Sequence, residues 1–158
     1  WNNNQKKTIA TLALDPKLWE SAMVFQIKRM GYNEHRWLDS GDVPNVQFLA
    51  SVCEIARQTP NVMHWLPTRE VKTLLAFIKQ YGADHIPSNL NIRVSAPMVN
   101  DKPLSAFDNM PQITTSTVHD KHNAPQGHSC PARNQGNACG DCRACWNSKV
   151  ANVSYPIH

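Results

Sequence analysis

Residues 61–97, NVMHWLPTREVKTLLAFIKQYGADHIPSNLNIRVSAP, decide the fold. Asn61–Pro67 is a short strand-forming run. Thr68 follows where a helix N-cap belongs, and Val71, Leu74, Leu75 and Ile78 then recur at i, i+3, i+4, i+7 until Gly82 closes the pattern. Leu90–Pro97 is a second strand-forming run. A strand, a helix and a strand in so short a span predict parallel strands joined by a crossover helix.

The same alternation extends in both directions. Asp15-Pro16 joins an N-cap to a proline at the first helical position, and Leu18, Trp19, Ala22, Met23, Ile27 and Met30 follow at helical spacing up to Gly31. A strand is expected over His35–Asp39. A helix is expected over Asn45–Gln58, with Val46, Leu49, Val52, Cys53 and Ala56 on one face and Thr59-Pro60 as its stop. Beyond Pro97 a polar, proline-bearing loop leads to an expected fourth strand over Gln112–Val118, and Val150–Tyr155 alternates like a last one. The fold class is therefore α/β: a partial (βα) barrel or an open parallel sheet with crossover helices over residues 1–120. Residues 121–158 are expected to form a C-terminal four-cysteine metal-binding lobe packed on the same domain.

A chain of 158 residues is long enough to bury its own core, and 41% hydrophobic with 8% aromatic residues excludes a disordered tail. The net charge of +4 permits contact with nucleic acid without demanding it, because the lysines and arginines are scattered. No apolar stretch approaches the roughly 20 residues of a membrane span, and no secretory pattern is visible. A cytoplasmic protein is expected. The opening Trp1, in place of Met, leads us to expect further residues upstream.

Four of the five cysteines crowd into one segment, C-P-A-R-N-Q-G-N-A-C-G-D-C-R-A-C-W, residues 130–146. Cys130, Cys139, Cys142 and Cys145 have the spacing C-x8-C-x2-C-x2-C. A C-x2-C pair turns two sulfurs toward one ion, Gly140 eases the turn, and Cys130 reaches across a short loop to complete four thiolates. Two disulfides are the alternative in an oxidising compartment. Zinc is the favoured metal, because Asp141 and Arg143 between the ligands mark a solvated loop. A [4Fe–4S] cluster is the alternative, since bacterial ferredoxins use the same short spacing. His122 and His128 lie close enough in sequence to substitute for Cys130. Cys53, on an apolar helix face, reads as a core residue.

In a parallel sheet the carboxyl ends of the strands form one rim, where ligands gather. Asp39, Asp42, Arg69 and His119 are the candidate catalytic groups there. Ser40, Gly41, Thr68, Arg93 and Ser95 are the candidate substrate-binding groups. The competing reading is structural: Asp39-Ser40-Gly41-Asp42 is ordinary turn chemistry with Asp42 capping the next helix, Thr68 is a cap, and Arg69 pairs with Glu70 or Asp39. His35 and His64, inside strands beside tryptophans, read as satisfied core histidines.

The chain resembles the gene product 88 family of tailed phages in four segments: RWLDSGD (36–42), TPNVMHWLPTRE (59–70), NLNIRVSAPM (89–98) and CPA…CGDCRACW (130–146). The resemblance implies a phage lineage, and so the host cytoplasm, without naming a reaction. Members of this kind usually carry an upstream cysteine segment of the type that holds the catalytic cluster of radical S-adenosylmethionine enzymes, and no cysteine precedes Cys53 here. The SGD turn and RVSAP are similar to that cofactor's methionine-binding turn and ribose-contacting strand.

Three functions follow as expectations. The first is an enzyme, or enzyme fragment, modifying a base in nucleic acid or a nucleotide in a transglycosylase-like manner. The second is a non-catalytic module that engages a host protein or nucleic-acid complex through exposed aromatics such as Trp146. The third is a fragment of a radical S-adenosylmethionine-type enzyme.

Overall fold

The computed structural model describes residues 3–39 and 41–157. Six parallel strands form a half-barrel: β1 (Glu34–Arg36), β2 (Met63–Thr68), β3 (Leu90–Val99), β4 (Ile113–His119), β5 (His128–Ser129) and β6 (Asn152–Pro156), in the spatial order β1-β2-β3-β4-β6-β5. Helices α1 (Asn3–Leu14), α2 (Pro16–Met30), α3 (Val46–Gln58) and α4 (Val71–Tyr81) belong to the first half of the chain.

Local chemistry explains most of these bounds. The Asp15 carboxylate accepts from Leu18 N at 3.0 Å, and Asn45 caps α3 by accepting from Phe48 N at 2.9 Å. Gly31 ends α2 with φ of 69°, in the left-handed region that a side chain would strain. The cap expected at Asp42 is thus supplied by Asn45. Thr68 is likewise the last residue of β2, and α4 begins after Glu70 with no side-chain cap. The first strand is shorter than expected: Trp37 N still donates to the Trp65 carbonyl at 2.9 Å while its ring packs among Trp19, Phe48 and His64, and Leu38 then turns the chain with φ of 56°.

Period-two alternation along β3 separates two environments. Leu90, Ile92 and Val94 face the helices and join Leu49, Val52, Ile55, Leu66, Leu74 and Phe77 in the main core. Asn91, Arg93 and Ser95 point to the opposite, concave face. On that face the C-terminal segment packs through a second cluster built on Trp65, Ala144, Cys145 and Val153. Leu18, Met30 and Leu75, expected on core faces, are exposed instead, while Glu20 is buried between Lys17 and Ser51. Helix α1 and the short strand β5 escaped the sequence reading. Leu12 is the buried side chain among those described in α1, and two residues are too few for a β pattern.

A polar knot is sealed inside the main core. Trp37 Nε1–H donates to His64 Nδ1 at 3.2 Å, so the His64 proton sits on Nε2 and is given to Thr59 Oγ1 at 2.8 Å. Thr59 in turn donates to the Ile55 carbonyl at 2.7 Å. Burial, reinforced by neighbouring His35, lowers the His64 pKa to about 3. The unfolded chain protonates this ring near its ordinary value of about 6.5, so the stabilisation it gives is complete above that pH and is lost as pH falls toward the folded value. Urea unfolding across this window should show stability declining with acid by up to about 1.4 kcal/mol per pH unit from this residue. His64→Gln should lack that component of the slope.

Candidate metal centre and strand-end rim

Where the cysteines lie follows from how the chain crosses the concave face. Between β5 and β6 it makes two short helical turns, Pro131–Gln135 and Ala144–Trp146, and the second settles on β2 and β3. Arg93, 1% exposed, fastens it: one guanidinium nitrogen donates to the Thr115 carbonyl at 2.6 Å, the other to Ala144 at 3.0 Å and Val150 at 3.2 Å. Asn91 adds a bond to the Cys145 carbonyl at 2.7 Å and is itself oriented by Thr114. Trp146, read from sequence as an exposed contact, is instead half-buried. Its ring lies edge-on to Trp65 with centroids 5.1 Å apart, and its Nε1–H donates to the His35 carbonyl. Arg143 ties the segment to β1 through Glu34 at 2.9 Å.

The four thiols are free, and three of them pack on this plug. Cys130 and Cys142 pack with Cys145 against the Trp65–Val153 cluster, and Cys130 and Cys139 both lie close enough to act electrostatically on the Cys145 thiol. The C-x2-C turn closes by a Cys142 N–H bond to the Cys139 carbonyl at 3.0 Å, with Gly140 at φ of 53°. Burial pushes the Cys145 thiol up, opposed by its 3.1 Å contact with the Tyr155 hydroxyl and by the Arg93 charge. Cys142 Sγ stands 3.5 Å from His128 Nε2, so of the two histidines weighed as substitutes His128 adjoins the cysteines, while His122 lies at a separate pocket. Among the described residues no three His, Cys, Asp or Glu side chains stand in a set that could hold a metal ion. Cys53 lies at the centre of the main core with its thiol pushed up to about 12 by burial.

Among the described residues two buried nitrogens on this face have no hydrogen-bond partner, Arg93 Nε and Trp65 Nε1. Unpaired buried donors are rare, because each costs about 1–3 kcal/mol. Both belong to the residues against which the cysteine segment packs, and a set of thiolates would supply acceptor charge to them.

The rim candidates divide into separate groups. Asp42 is fully engaged: its carboxylate accepts from Val43 N at 2.7 Å, Thr68 Oγ1 at 2.5 Å and Arg69 N at 2.8 Å. Arg69 reaches across to the Pro97 carbonyl at 3.1 Å rather than to Glu70 or Asp39. These bonds lace the β1–α3 loop to the ends of β2 and β3. Asp39 is exposed beside Leu38, whose φ of 56° is unusual for leucine, and Gly41 follows at φ of 79°. Ser40 lies outside the described residues. Ser95 shares a hydrogen bond with Ser116 at 3.0 Å, while Arg93 is a buried fastener rather than a rim group.

His119 and Asp120 belong to a different part of the rim, at the ends of β4 and β6. There they line a pocket of about 360 Å³ with Lys121, His122, Arg133, Pro156 and Ile157. The Asp120 carboxyl is held down at about 2, chiefly by the Asn123 and Asn100 amides and the His122 N–H. Sequence reasoning passed over Tyr155, Trp65 and Arg133, which carry no motif and acquire their roles only once β6 and the crossover before it pack on the sheet.

A half-barrel whose concave face is closed by a cysteine-bearing crossover defines the class of protein. The Gene product 88 profile matches residues 2–148, and the chain belongs to this phage family. No curated protein and no solved structure matches it. The likeness to radical S-adenosylmethionine barrels gains no support from these comparisons. Among the described residues no helix is long and apolar enough to cross a membrane.

The Arg93 fork is the testable centre of this arrangement. Arg93→Lys keeps the charge but cannot serve three carbonyls on two sides, and should cost about 2–4 kcal/mol in urea unfolding. Near-ultraviolet circular dichroism should show the Trp65–Trp146 signal weakening first.

Proposed function

We propose that this phage protein is a metal-binding α/β half-barrel. In this reading Cys130, Cys139, Cys142 and Cys145 hold one zinc ion that fastens the C-terminal crossover, and the strand-end rim engages nucleic acid or a nucleotide. The observation that carries it is the packing of three unpaired thiols, Cys130, Cys142 and Cys145, on the face that holds two orphaned buried donors, Arg93 Nε and Trp65 Nε1. A tetrathiolate centre carries net negative charge, and these N–H groups are suited to stabilising it. Ligation requires Cys145 and Cys142 to turn from Tyr155 and His128 toward a common centre. Zinc is favoured over [4Fe–4S] because Cys139, Asp141 and Arg143 are exposed, leaving one side of the site in water.

A non-catalytic role in binding is the second reading, and the state of Asp42 favours it. A carboxylate already accepting from three donors is poorly placed to move protons. Base modification or transglycosylation at the rim would then fall to Asp39 and His119. Asp39→Asn should abolish any such change in phage DNA or host tRNA, whereas pure binding leaves base composition untouched in wild type and variant alike.

Elemental analysis with an absorption spectrum tests the metal. A colourless protein with one zinc per chain is expected. Chelation should lower the melting temperature and alter tryptophan fluorescence while helical circular dichroism persists. Cys142→Ser and Cys145→Ser should lower zinc content. Brown protein containing iron and sulfide would replace zinc by the cluster, and metal-free protein with the same melting temperature and two disulfides would remove the reading.

A further inference from the structure

The pocket at the ends of β4 and β6 contains a histidine whose tautomer is dictated from inside the sheet. The chain of reasoning begins at the Gln126 carbonyl, which can only accept. Its partner is the Asn152 side chain, which must present its amide nitrogen there. The second N–H of that nitrogen goes to Thr117 Oγ1 at 3.0 Å, and Asn152 Oδ1 accepts from Thr115 Oγ1 at 2.8 Å, which agrees with this orientation. Because that amide nitrogen can only donate, the acceptor left for the proton of the buried Thr117 hydroxyl is Ser154 Oγ at 3.2 Å. Ser154 is fully buried, and the partner left for its hydroxyl proton is His119 Nδ1 at 2.7 Å. His119 Nδ1 is therefore an acceptor, and the ring's proton sits on Nε2.

We propose that this relay presents His119 Nε2–H as a fixed donor to a phosphate monoester bound in the pocket, beside Lys121 and Arg133. Arg133 spends one nitrogen on the Ile157 carbonyl at 2.6 Å and keeps the rest of its fork free. The carboxylate in the lining, Asp120, is occupied by Asn100, Asn123 and the His122 N–H. The balance of the lining is thus toward donors. Pro156 and Ile157 supply an apolar wall, and a volume of about 360 Å³ is of the size that takes a nucleoside monophosphate. The ligand class rests on the nucleotide reading of the rim, whereas the tautomer does not, so the two can fail separately.

Long-range proton–nitrogen NMR of the full, metal-loaded chain reads the tautomer directly. The Nε2–H form is expected for His119, and Ser154→Ala should release a mixture of both forms. An Nδ1–H ring in the wild type would overturn the relay. Titration with adenosine 5′-monophosphate should shift the His119 and Lys121 signals, adenosine alone should not, and Arg133→Gln should weaken the monophosphate at least tenfold while leaving the tautomer unchanged. Inorganic phosphate acting as well as the monophosphate would uphold the anion site and remove the nucleotide. Identical responses to adenosine and its monophosphate, or an Arg133→Gln protein that binds unaltered, would overturn the phosphate site.

Discussion

A single buried guanidinium holds the two halves of this molecule together. Arg93 stands in the middle of the central strand with no carboxylate partner among the described residues, and its charge is compensated by carbonyl dipoles of β4 and of the crossover that lies on it. Removing a cation from water is costly, and neutral oxygens recover that cost only if the planar fork is satisfied along its edges. The fork reaches chain segments more than fifty residues away, so it links the sheet to a segment with little apolar content of its own. Its one idle nitrogen, Nε, is buried without a hydrogen-bond partner. The proposed metal would thus complete an arrangement that the arginine begins.

Two cores with different chemistry result. The helical side is a dense aliphatic and aromatic layer in which polar atoms are confined to closed circuits such as Trp37–His64–Thr59. The concave side is small, sulfur-rich and aromatic, and depends on backbone carbonyls as much as on side chains. The β4–β6 seam is different again, with Thr115, Thr117, Asn152 and Ser154 bonded to one another where most sheets would place valine and isoleucine. A polar ladder of this kind costs packing enthalpy but gives directionality, since each hydroxyl has one proton to give.

The layered scaffold was legible because its signals are local. Asp15, Asn45 and Gly31 act within a few residues of themselves, and the alternation of Leu90, Ile92 and Val94 is visible without knowing any neighbour. The bounds failed where the neighbourhood overrode them: the chain turns at Leu38, just after β1, and Thr68 is held in β2 by Asp42. The candidate rim was legible in content but not in grouping. Asp42, Arg69 and His119 all lie at strand ends, yet the spatial order of β6 and β5 puts His119 with Arg133 and separates it from the aspartates. Arg93 was misread as a rim residue because its position inside β3, two residues before the pairing with β4 shifts after Ser95, is a matter of register. The cysteine spacing was the plainest motif in the chain, and nothing in it foretold that the segment would cover Trp65.

The insertion of β6 between β4 and β5 has a topological consequence. Parallel strands are joined by right-handed crossovers in nearly all proteins. From β1 to β4 the chain steps in one lateral direction and its connections pass over the helical side. From β5 to β6 it steps back the other way, so the same handedness is kept only if that connection passes over the opposite side. The reversal in strand order therefore sends the cysteines into the mouth of the half-barrel. Were the last two strands exchanged, chirality would carry those sulfurs round to the outer surface, away from Arg93 and Trp65.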